Sequence, residues 1–234
     1  NHPIETFQTL RDFLRYAVSR FNAADLTFGH GTTNAYDEAA YLVLEGLHLP
    51  IDQLEPYLDA RLLKSERERL AGLIEARATT RKPLPYLLNR AYMHGVPFYV
   101  DERVIVPRSY IGELLALPTF VGSPEAIIPE PEAIETVLDL CTGSACLAIL
   151  AAMRFQNAIV DATDLSADAL EVAKINIANH GREHQITLHK GNLFAPLKGR
   201  RYDLIIANPP YVAENEVAAF GAEYAAEPRM AHVS

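Results

Sequence analysis

At 234 residues, 49% hydrophobic and 22% charged, the chain has the make-up of an ordinary folded protein and is long enough for two domains. A formal net charge of -9 argues against a broad phosphate-binding face, so no specific DNA binding is expected. Cys141 and Cys146 match neither a disulfide framework nor a zinc spacing and fit a reducing, cytoplasmic setting, while no apolar run is long enough to span a bilayer.

Residues 1–94 read as a helical domain. Phe7, Leu10, Phe13, Leu14, Ala17, Val18 and Phe21 recur at three- and four-residue steps, opposite Arg11, Asp12 and Arg15. A second helix is expected from about Tyr36 to Leu47. Ser65 and Glu68 suggest a capping box ahead of Leu70, Leu73 and Ile74. These positions read as core, without chemistry of their own.

Residues 95–135 read as a β-hairpin and linker. Phe98 to Val100 and Val104 to Val106 are β-rich and flank Asp-Glu-Arg, which predicts a hairpin. Pro118, Pro124, Pro129 and Pro131 then mark an irregular stretch, with a short helix before it.

Residues 136–234 alternate strand and helix patterns: TVLDLC, CLAILAAMR, AIVDATD, ADALEVAKINIANHG, ITLHK and YDLIIA. Such alternation predicts a parallel α/β sheet, in which ligands bind at the carboxyl ends of the strands. Asp139 lies within the first of these strands, and the small residues Cys141, Thr142, Gly143, Ser144 and Ala145 follow it. A loop of this kind lets a ligand lie against backbone, but it matches neither GxGxxG nor a P-loop, so a pyrophosphate is poorly supported. Asp164 ends the next strand, about twenty residues on, where a carboxylate suits the two hydroxyls of a ribose. Asp161 competes for that role but comes too early in the strand. Leu165 follows Asp164, and Ser166 suits the N-cap of the next helix. Asn192 and Leu193, in GNLF, are placed to meet an adenine edge and ring.

The last strand pattern, which reads as central and covered on both faces, stops at Asn208-Pro209-Pro210-Tyr211. Two prolines fix the backbone and remove two donors, leaving the Asn208 side-chain oxygen and the Pro209 carbonyl as acceptors in a stiff relation beside an aromatic ring. That arrangement suits a planar NH2 group. The same tetrapeptide in isolation also reads as a plain turn.

Taken together and in this order, DLCTGSA, TDLS, GNLF and NPPY resemble the class I S-adenosylmethionine-dependent methyltransferases that act on NH2 groups. With the helical domain and YMHGVPFYVDERVIVPRS in front, nearly the whole chain resembles the protein-glutamine N(5)-methyltransferase family. VIVPRSYIGELL is more similar to the branch acting on the third large-subunit ribosomal protein than to the release-factor branch. The resemblance implies a Rossmann-like sheet preceded by a helical substrate-recognition domain. It makes S-adenosylmethionine the cofactor, held by Asp139, Cys141 to Ala145, Asp164, Leu165, Asn192, Leu193 and Asn208. It also makes Asn208, Pro209, Pro210 and Tyr211 the catalytic set and a ribosomal protein the substrate, with no membrane partner and no metal. Two positions depart from the pattern: Tyr110 replaces a proline, and Ala145 replaces a glycine, which crowds the methionine side of the cofactor. Family members carry seven strands and only four are counted here, so the sheet is expected to continue past Ser234. A nucleic-acid adenine-N6 methyltransferase would use the same NPPY geometry on a flipped base. An idle assembly factor would keep only the fold. The acidic balance weighs against the first, and intact Asp164 and Asn208 weigh against the second.

Overall fold

The short strand patterns after Thr136 become strands of one parallel sheet, because each is too short for a helix and the first two are followed by helices that pack on the sheet. The computed structural model describes residues 3–210 and 221–232. These divide into two units, Asn1–Asn89 with Phe220–Ala226, and Arg90–Ala219 with Glu227–Ser234.

The first unit is helical: α1 (Pro3–Thr6), α2 (Leu10–Ala23), α3 (Ala35–Gly46), α4 (Lys64–Thr80) and α5 (Leu84–Leu88). Thr9 caps α2 and exchanges hydrogen bonds with Asp12, a reciprocal cap of about 1 kcal/mol. Leu10, Phe13, Leu14, Ala17 and Phe21 bury the predicted stripe. The expected Ser65–Glu68 capping box does not form. The helix starts at Lys64, which puts Ser65 inside it, and the Glu66 carboxylate instead accepts the Leu63 amide at 2.7 Å. Within this unit Glu38 pairs with Arg77, and Glu223 with Arg81 at 2.8 Å, all but Arg81 buried.

The second unit opens with a hairpin, β1 (Ala91–Met93) and β2 (Val96–Phe98), which lies N-terminal to the expected one. His94 and Gly95 both take positive φ, 51° and 76°, the backbone that a two-residue hairpin turn demands. Among the described residues the expected strand Val104–Val106 finds no ladder. The Asp101 side chain takes the Arg103 amide and guanidinium, and the Val106 amide donates to the Glu227 carboxylate at 3.0 Å. After α6 (Tyr110–Ala116) come β3 (Thr136–Leu140), α7 (Cys146–Arg154), β4 (Ile159–Asp164), α8 (Ala167–Asn179), β5 (Ile186–Lys190) and β6 (Leu204–Ala207). The sheet is parallel throughout, in the order β5-β4-β3-β6. Val137, Val160, Ala162 and Ile206 pack with α7 residues such as Ala148, Ile149 and Ala152 in the main core. Contrary to its reading as a central strand, β6 is outermost among the described residues, and Ile205 is half exposed while Ile206 is buried.

Candidate active site

The register of the sheet places the candidate residues before any side chain is considered. Leu140 pairs with Thr163 on one side and Ala207 on the other, and Thr163 pairs with His189. The next residue of each strand therefore falls in one row along the carboxyl edge, reading Lys190, Asp164, Cys141 and Asn208. Parallel strands make such a row automatically, because all of them end on the same side.

After β3 the loop turns through three left-handed residues in five, Cys141, Gly143 and Ala145, with φ of 59°, 56° and 64°. Such conformations cost a side-chain-bearing residue about 1 kcal/mol or more, and they persist where the surroundings fix them. Thr142 supplies part of that fixing. Its amide donates to the Thr163 carbonyl at 2.9 Å and its hydroxyl to Asp139 Oδ2 at 2.6 Å, an oxygen that also accepts the Ala148 amide at 3.1 Å. A Cβ on Gly143 would meet nothing within 4 Å, so the backbone there faces open space. Burial drives the Asp139 carboxyl up to about 7, against the opposing hydrogen bonds from Thr142 and Ala148, and the charge of Asp164 adds to the rise. Asp139 Oδ1 is buried with no hydrogen-bond partner among the described residues. Burial also pushes Cys146 up to about 12 and raises Cys141, so neither sulfur is an activated nucleophile.

At the end of β4, Asp164 Oδ2 accepts the Gly143 amide at 2.8 Å and Oδ1 accepts the Ser166 amide at 2.9 Å. The first bond joins Asp164 to the loop after β3, and the second holds its other oxygen to the start of α8. An ionised carboxylate has about four acceptor sites, so acceptor capacity remains for a ligand. Ser166 caps α8, its hydroxyl accepting the Ala169 amide at 3.1 Å. Leu165 beside it is exposed, as are Asn192 and Leu193 after β5, and Leu193 again has a positive φ of 47°. Asp161 is a different object. Its oxygens take His189 Nε2 at 2.7 Å, Arg200 Nη1 at 2.6 Å and the Tyr202 hydroxyl at 2.7 Å, which consumes the carboxylate inside the protein.

Asn208 follows β6, with its Nδ2 3.5 Å from the Arg108 carbonyl. A carbonyl only accepts, so this neighbour selects the amide nitrogen and turns Oδ1 the other way. The distance is at the outer edge of a hydrogen bond, as polar contacts at reactive centres often are before a ligand binds. Pro209 is exposed and Pro210 partly buried. Tyr211 lies outside the described residues. Beside Asn208 opens a cleft of about 740 Å³ whose walls include Met93, His94, Arg108, Tyr110 and Glu113. Tyr110, the residue that replaces a proline, is 83% exposed there.

Sequence reasoning missed two sets of residues. Asn176, fully buried on α8, accepts the Tyr99 amide at 2.7 Å and donates to the carbonyls of Tyr99 and Ser144, both at 2.9 Å, so it staples the loop after β3 to the chain leaving the hairpin. Its signal was present: an Asn on the apolar stripe of Ala169, Val172 and Ala173. Arg108 forks onto Glu227 at 2.8 and 2.7 Å, and no local pattern announces that partnership.

The methyltransferase small domain family matches residues 126–225. The chain is 59% identical over 225 residues to the ribosomal protein uL3 glutamine methyltransferase of Bradyrhizobium diazoefficiens, covering 95% of this chain and 70% of that protein. Its identity to the protein of the same name from Burkholderia pseudomallei is 56%, over 96% of this chain and 74% of the relative. For the Bordetella pertussis protein the identity is 52%, over 99% and 76%.

Proposed function

The chain belongs to the family of ribosomal protein uL3 glutamine methyltransferases, and on that premise we propose that it transfers a methyl group from S-adenosylmethionine to a glutamine side-chain nitrogen of uL3. The observation that carries the reading is the row at the carboxyl edge, in which Asp164, the loop from Cys141 to Ala145 and Asn208 follow three adjacent parallel strands.

The residues present fit an adenosyl cofactor. Asp164 keeps acceptor capacity for ribose hydroxyls, the Gly143 backbone faces open space, and Asn192 and Leu193 are exposed at the next strand end. Asp139 Oδ1, buried and without a hydrogen-bond partner among the described residues, is a polar atom that a ligand group would complete. Leu165, beside Asp164, adds apolar surface. When bound, S-adenosylmethionine supplies an electrophilic methyl on a sulfonium.

The chain's own part is positioning and charge. A glutamine nitrogen is a poor nucleophile because its lone pair is delocalised into the carbonyl, so its placement in line with the methyl supplies much of the rate. Asn208 Oδ1 and the Pro209 carbonyl accept its two N–H groups, which fixes the amide plane and favours the positive charge that grows on nitrogen. Pro210 stiffens that pair of acceptors, and Tyr211 supplies a ring for the planar amide. The proton leaves after transfer, so no general base is required.

The cleft beside Asn208 gives a substrate segment room to reach these acceptors. Among the described residues no helix is long and apolar enough to cross a membrane, and the substrate class favours a cytoplasmic setting. The test is methyl transfer from labelled S-adenosylmethionine by the full-length protein, offered purified uL3 and a release factor side by side, with the modified residue located by mass spectrometry. A methylated uL3 glutamine is expected. Label on the release factor alone, or on nucleic acid, would overturn the reading.

A further inference from the structure

We propose that Glu227 is a positioning residue for Asn208, acting through Arg108; the inference rests on the reaction assigned above. Glu227 has a fully buried side chain and receives both terminal nitrogens of Arg108, at 2.8 and 2.7 Å, together with the Val106 amide at 3.0 Å. His232 Nε2 lies 2.9 Å from its other oxygen. One carboxylate thus gathers the side chain of residue 108 and the backbone of residue 106.

The burial asks for an explanation. The Glu227 carboxylate is desolvated while Arg108 keeps about a third of its side chain exposed. A buried charge held by such a pair is a poor route to stability, and its best-attested use is to hold one register against alternatives. Here there is a register to hold. Residues 104–108 belong to no strand among the described residues, and the Val106 amide turns to Glu227 instead of to a ladder. Glu227 supplies two fixed points on it, and the Arg108 carbonyl then stands 3.5 Å from Asn208 Nδ2. That carbonyl is what turns Asn208 Oδ1 outward. A bidentate Arg–carboxylate pair is directional as well as strong, so it fixes a position where a single point charge would not. Arg108 also lines the cleft beside Asn208, so a slip of this stretch would move the cleft wall and the acceptor together.

The test pairs kinetics with a direct view of the Asn208 amide. Glu227→Gln keeps the shape and one acceptor but loses the charged fork. It is expected to lower kcat about ten- to a hundredfold, the scale of a small misplacement at a reacting centre. The dissociation constant for S-adenosylmethionine should change by less than about twofold, because Asp164 and the loop after β3 are untouched. In the nuclear magnetic resonance spectrum of the unliganded protein, the Asn208 side-chain NH2 resonances should shift. Arg108→Lys keeps the charge and the backbone carbonyl while removing the fork, and should move kcat and the NH2 resonances in the same direction by less. A folded Glu227→Gln protein with unchanged kcat and unmoved Asn208 resonances overturns the proposal. If that variant fails to fold, Arg108→Lys decides by the same two readouts. Should the unmutated protein transfer no methyl to glutamine, the assigned reaction fails, while the resonances still report whether Glu227 orients Asn208.

Discussion

Asp161 and Asp164 lie three residues apart on β4, and their contrast separates the middle of the sheet from its edge. Asp161 meets three side-chain donors, which occupy most of its acceptor capacity inside the protein. Among the described residues Asp164 meets backbone amides, from Gly143 and Ser166, and keeps acceptor capacity. The two carboxylates are chemically identical. What differs is whether the chain closes over them, and only a strand end leaves one open. Asn208 shares the condition of Asp164, one residue past the same register row.

The contrast is tested most severely at Asp161. Asp161→Ala leaves Tyr202, His189 and Arg200 without their acceptor, and a loss of about 3 kcal/mol is expected, the lower end for breaking a buried pair because Arg200 is half exposed. Urea unfolding measures it, and cofactor affinity per folded molecule should stay unchanged. Burial alone would raise this carboxyl, but hydrogen bonds from Tyr202, His189 and Arg200 prevail and hold it below its ordinary value. A folded-state value below the unfolded one of about 3.9 means that the stabilisation is complete above that pH and is lost as pH falls through the folded value. The gap between the variant and the parent should therefore close in acid. A gap that widened there would show that Asp161 is not the charged hub described.

At the edge, Asn208→Ala should lower turnover by about a hundredfold while stability and cofactor affinity hold, since it removes one preorganised contact at the reacting centre. A well-folded variant that still turned over would rule out the amide clamp. Asp164→Ala should weaken S-adenosylmethionine by about 1.5 to 3 kcal/mol, the range for hydrogen bonds to a charged group. Calorimetry reads this directly. An unchanged constant would move the ribose elsewhere and erase the difference between the two aspartates.

These expectations also mark what was legible in the sequence. From Thr136 onward strand patterns alternate with helical ones between turn residues, Asp164 ends one strand and Asn208 follows another, so both elements and positions could be read locally. The hairpin was misplaced because each strand has only three residues and its turn depends on positive φ at His94, which no side-chain pattern reveals. Arg108 and Glu227 are 119 residues apart, and their pairing exists only once the chain has folded. Asn176 could have been noticed as a polar residue on an apolar stripe, but its partners, Tyr99 and Ser144, could not have been named.

The smallest expected effect concerns the loop between those two worlds. Ala145 is fully buried, caps α7 and has a φ of 64°, a conformation that glycine adopts without the penalty of a Cβ. Ala145→Gly relieves that strain but loosens the unfolded chain, and the two effects oppose each other. A net gain below about 1 kcal/mol is expected, because backbone strain of this kind slightly exceeds the entropy that alanine saves. Urea unfolding of the unliganded protein measures the balance. Cofactor affinity should rise slightly as well if the missing Cβ widens the methionine side. A clear loss of stability would mean that the Ala145 side chain earns more from its core contacts than its backbone costs, and the loop would then owe its shape to packing rather than to the hydrogen bonds of Thr142 and Asn176.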